Sequence, residues 1–125
     1  MPTRKITRRE WMSFFDSFSN QHRGWLVTIE IMDPEIGDQT LARDLPLEGI
    51  TAELNEQGAD EIEIVVGRQP GSHVSDTVVA PRNVWLKSTE EGADEALEIQ
   101  GEKKTVLIRF RSAVRLESVD GILTN

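Results

Sequence analysis

Apolar and polar residues follow two periods along this chain. Before residue 24 the apolar positions recur every three or four residues; after it they mostly recur every second one. Trp25, Val27, Ile29 and Ile31 fall on one face of an extended stretch, and Leu26, Thr28, Glu30 and Met32 on the other. β-Branched residues dominate it, as a half-buried pleated surface favours. Residues 24–32 therefore predict the first strand of a curled antiparallel sheet, with the Trp25 face inward.

The preceding segment predicts a helix. Thr7 and Glu10 have the capping-box spacing, and Ile6 and Trp11 are placed as a hydrophobic staple. Trp11, Phe14, Phe15 and Phe18 form one apolar stripe, expected to plug the sheet. His22 and Arg23 suit the negative end of the helix, and Gly24 suits its stop.

Further strands are expected over 40–47, 50–54, 61–66, 73–80, 83–88, 96–100 and 105–111. Pro46 cannot donate to a ladder and marks an edge or a break in pairing. The apolar phase slips by one residue at Gly49, which predicts a bulge or a corner. Gly101–Lys104 reads as a hairpin turn. The expectation is an α+β chain: an N-terminal amphipathic helix packed on a curled antiparallel sheet, a small barrel or roll of about six to eight short strands. Residues 1–125 read as a single domain, with 1–5 a flexible N-terminal arm and 113–125 a C-terminal arm or a short helix.

Segments of the chain resemble an uncharacterised bacterial family of short acidic α+β domains. They are Phe14–Ser19, Arg23–Val27, Leu45–Ile50, Val84–Leu86, Glu90–Leu97 and Ile108–Ser112. That family has only a domain-of-unknown-function label, so the resemblance implies no catalytic or binding residue.

Charge is uneven along the chain. Residues 1–9 carry four basic groups and no acid, residues 10–102 carry 20 acids against five basic groups, and residues 103–125 carry five basic groups against two acids. The net charge of −8 repels nucleic acid and anionic membrane at long range. The basic ends are expected to fold back on the acidic middle. There is no cysteine, which excludes thiolate chemistry and fits a reducing cytoplasm. No signal peptide or membrane span is evident, so a cytoplasmic protein is expected.

Candidate chemistry is sparse. His22 and His73 are the only histidines and lie in different elements, as a helix-end cation and a surface group. There is no nucleophile elbow and no phosphate loop. Asp33, Glu35 and Asp38 are the candidates for a hard-cation clamp, but Pro34 interrupts them, and solvated loop carboxylates explain them as well. The run Glu90, Glu91, Asp94 and Glu95 reads as a solvated acidic connection. No cofactor is expected.

Three functional readings follow. The preferred one is a non-enzymatic interaction or structural module, because Leu26, Met32, Val65, Val79, Trp85 and Leu107 are apolar on outward faces. Its partner is another protein or a second copy. Trp85, Leu107, Arg109 and Arg111 are its expected interaction face. The second is a small ligand-binding or hydrolytic barrel, with Asp16, His22 or His73 in a pocket between helix and sheet. The third is single-stranded nucleic-acid binding at the C-terminal hairpin, through Arg109 and Arg111 with Lys103 and Lys104; the acidic body disfavours it. Pairing of Arg109 and Arg111 with Glu98, or with Glu61 and Glu63, explains those cations without a ligand.

Overall fold

A computed structural model describes residues 3–55, 60–67 and 73–111. The elements run β1 (Thr3–Ile6), a 3-10 turn (Arg8–Glu10), α1 (Trp11–His22), β2 (Leu26–Asp33), β3 (Gly37–Glu53), β4 (Glu61–Val66), β5 (Val74–Val79), β6 (Pro81–Ser88), β7 (Asp94–Gly101) and β8 (Thr105–Arg111). One helix packs on an eight-stranded antiparallel sheet of order β1-β6-β7-β8-β2-β3-β4-β5. The α+β class and the antiparallel sheet match the pattern of apolar positions. Of the barrel and the roll, the closed barrel is not formed: β1 and β5 are the two ends of the sheet, and it stays open.

The N-terminal arm needs correction. Thr3–Ile6 is a strand paired with β6, from Thr3 opposite Lys87 to Ile6 opposite Val84. Ile6, only 1% exposed, anchors it in the core. Arg4 and Lys5 each lie 5.7 Å from an aromatic ring, Phe14 and Trp85 respectively. The helix therefore follows a strand and a turn. Residues 113–125 lie outside the described residues.

The start of the helix follows the sequence signature. Thr7 donates its backbone N–H and its hydroxyl to Glu10 Oε1, at 3.0 Å each. These bonds hold the Glu10 carboxyl below its ordinary value. Trp11 donates its indole N–H to the Ile6 carbonyl at 2.9 Å, so the staple is hydrogen-bonded as well as apolar.

β3 turns the sheet. Its first part pairs with β2 up to Pro46, and from Leu47 onward it pairs with β4. At this handover Pro46 has no donor to lose, and its carbonyl accepts from Gly67. Asp44 adopts φ 53°, and the β3–β4 register shifts between Leu47 and Gly49, where the apolar phase slips. The predicted strands 40–47 and 50–54 are thus one bent strand. A second corner lies at Ala80 (φ 54°), between β5 and β6.

Bending brings β5 to the β7–β8 hairpin. A Cβ on Gly101 would sit 2.6 Å from Val78 Cγ1, so only glycine permits this approach. Lys104 Nζ reaches Asp76 Oδ1 at 2.9 Å across the same gap. The core fills the concave side. It holds Val27, Ile29, Ile62, Ile64, Val84, Leu97, Ile99, Val106 and Ile108, with Trp11, Phe15 and Phe18 of α1 laid over them. Phe14 is half-buried at the margin.

Candidate functional site

The register gathers Trp85, Leu107, Arg109 and Arg111 on one outer face. Trp85 lies opposite Glu98, and Glu98 lies opposite Leu107. Leu107 lies opposite Glu30, while Thr105, one step along, lies opposite Met32. Residues two apart on β8 share a face, which places Arg109 and Arg111 with Leu107. Trp85 and Met32 are half-buried there, and Leu107 is nearly flush at 9% exposure.

Charges on this face come close to balancing. Arg109 Nε lies 3.1 Å from Glu30 Oε1, Arg111 Nη1 3.1 Å from Asp44 Oδ2, and Lys87 Nζ 3.0 Å from Glu98 Oε1. The arginines are paired as the sheet reading anticipates, but their partners are Glu30 and Asp44 rather than Glu98, Glu61 or Glu63. Burial alone would raise the Glu98 pKa; hydrogen bonds from Lys87 and Gln100 outweigh it and leave the carboxyl below its ordinary value. Asp60 is lowered too, first by the Arg8 hydrogen bonds and then by the Asn55 N–H. Arg8 Nε to Asp60 Oδ2 is 2.7 Å, so the basic N-terminus does fold onto the acidic middle.

Other outward apolar residues do not join the face in one way. Leu26 and Val65 are half-buried, whereas Val79 is 55% exposed, on the end strand β5. The outer face of the β3–β4–β5 half is acidic: Glu53 lies opposite Glu61, and Glu63 opposite Thr51.

Asp33, Glu35 and Asp38 do not form a clamp. Asp33 Oδ1 accepts from the Glu35 and Ile36 N–H groups, at 2.8 and 3.4 Å, and so closes its own turn. Among the described residues, no three His, Cys, Asp or Glu side chains gather to hold a metal ion.

A groove of about 570 Å³ runs between α1 and β3, lined by residues that include Asp16, Asn20, Arg23 and Glu48. Ser19 closes its floor: its Oγ accepts from the Ile50 N–H at 2.9 Å and donates to the Ile50 carbonyl at 3.1 Å. Asp16 is exposed on the groove wall, and His73 is an exposed group 3.6 Å from Glu48. His22 points elsewhere, so these three residues are not brought together.

His22 is the residue whose environment departs most from expectation. It ends α1 at 3% exposure and belongs to the apolar stripe, four positions after Phe18. Its Nδ1 lies 2.9 Å from the Phe18 carbonyl and its Nε2 3.0 Å from Asp94 Oδ2. Phe18 stacks on its ring at 3.9 Å, and Trp25 meets it edge-on at 4.4 Å. Trp25 is half-buried rather than fully inward, because it sits in the turn before β2 and flanks this ring. Asp94 corrects the reading of the acidic run: Glu90, Glu91 and Glu95 are exposed, but Asp94 turns in toward His22. The helical stripe could have placed His22 inward; nothing in the run distinguishes Asp94 from its neighbours.

The family model described as "Family of unknown function (DUF5335)" matches residues 2–119. This chain belongs to that family. It is also similar to an uncharacterized protein from Aquifex aeolicus (strain VF5), at 25% identity over 117 residues, covering 93% of this chain and 98% of that protein. The bacterial family of unknown function that the sequence resembles is thereby confirmed. DUF5335 brings no assigned residue with it. No solved structure matches the chain. Among the described residues, no helix is long and apolar enough to cross a membrane.

Proposed function

We propose that the chain is a non-enzymatic cytoplasmic interaction module that docks on a second copy of itself through the outer face of β6, β7, β8 and β2. One observation carries this reading: the register collects Trp85, Leu107 and Met32 on an outer face whose charges nearly cancel. Elsewhere acids prevail, and the chain as a whole carries −8. Two such bodies repel unless they meet where charge is balanced, and this face is such a place. A half-buried tryptophan on a face that also carries paired arginine and lysine side chains has the composition of an interface centre.

Less supports the alternatives. The groove reading places Asp16, His22 or His73 in a pocket between helix and sheet; of the three only Asp16 lines the α1–β3 groove, while His22 faces Asp94 and His73 faces Glu48. The nucleic-acid reading rests on Arg109 and Arg111, and ion pairs with Glu30 and Asp44 account for both without a ligand.

Sedimentation from micromolar to millimolar concentration tests the proposal. Wild type is expected to associate reversibly, and Trp85→Ser to weaken association at least about tenfold while keeping its circular dichroism. A wild-type chain that stays monomeric throughout, or a Trp85→Ser chain that associates as well as wild type, overturns it.

A further inference from the structure

The ring of His22 has an acceptor at each nitrogen. A backbone carbonyl can only accept, so the Nδ1 facing the Phe18 oxygen carries a proton. A carboxylate oxygen faces Nε2 at 3.0 Å, and a bare nitrogen there would set lone pair against lone pair. With Asp94 ionised, the arrangement is satisfied only with a proton on each nitrogen. Its surroundings suit a cation: the negative end of α1, the Asp94 carboxylate, and the ring faces of Phe18 and Phe110 at 3.9 and 5.5 Å.

The elements joined are far apart in sequence. His22 is the last residue of α1, and Asp94 is the first residue of β7. The β6–β7 turn presents Asp94: Gly92 (φ 93°) donates to the Thr89 carbonyl, and Ala93 donates to Thr89 Oγ1. The other elements packed on the ring present aromatic groups: Phe18 from α1, Trp25 from the turn before β2 and Phe110 from β8.

We infer that His22 and Asp94 form a proton-dependent latch that holds the aromatic helix closed on the sheet. The latch is shut when the imidazole carries both protons and Asp94 is ionised. It loosens when either charge is lost. Its release frees the C-terminal turn of α1 while β7 stays in the sheet.

Nitrogen-15 NMR of the histidine ring in the full chain reads the protonation state directly. Both His22 nitrogens are expected to be protonated in the folded chain; one protonated and one bare nitrogen overturns the inference. Hydrogen exchange in the last turn of α1 reads the latch. Asp94→Asn should speed it about tenfold or more, with Glu95→Gln as the unchanged control. Unchanged exchange in Asp94→Asn would also overturn it, whatever the ring shows.

Discussion

Single side chains in this protein are held by hydrogen bonds that the residue type alone does not announce. Trp11 illustrates it, because its burial is legible from the apolar stripe but its bond to Ile6 is not. Trp11→Phe keeps the aromatic bulk and removes a buried hydrogen bond to the Ile6 carbonyl. It should cost about 1–3 kcal/mol in urea unfolding. Glu98 makes a pH prediction. Its carboxyl titrates below the ordinary 4.5, so the stability it contributes is present above that value and is lost as pH falls through the lowered one. The destabilisation caused by Lys87→Met should accordingly be largest near neutral pH and shrink in acid, measured by urea unfolding at both. The place of His22 at the helix end was readable. Its partner was not, because one aspartate in a run of acids becomes special only when the turn aims it.

Elements were legible where one face of each is buried and obscure where pairing changes hands. The alternation of Ile62, Ile64 and Val66, and of Leu97 and Ile99 against Val106, Ile108 and Phe110, predicts strands whose inward residues are fully buried except for half-buried Phe110. The bend of β3 left a trace in Pro46 and in the phase slip at Gly49. Its partners were not readable, since a strand pattern does not name its neighbours. β1 was missed because four residues with three polar side chains show no period, and only Ile6 is buried. The contact of α1 with β3 rests on Ser19, which bonds both backbone groups of Ile50. Ser19→Ala leaves both without that partner and should destabilise by about 1–3 kcal/mol, read by chemical denaturation. Gly101→Ala drives a methyl against Val78 and should cost about 1–3 kcal/mol, seen as a lower thermal midpoint.

On the scale of the whole molecule, charge and curvature act together. The open sheet wraps one core under the α1 lid, and its two outer faces differ in charge. The acids Glu53, Glu61 and Glu63 mark one half, and the balanced pairs around Trp85 and Leu107 mark the other. Composition revealed the acidic middle and the basic ends, but only the register shows that the cations of the C-terminal strand neutralise one particular face. The most direct test follows backbone amide shifts as the full chain is diluted. Concentration-dependent shifts are predicted across residues 83–87, 96–100 and 105–109. Shifts confined to the α1–β3 groove, or none at any concentration, would contradict a docking role for that face.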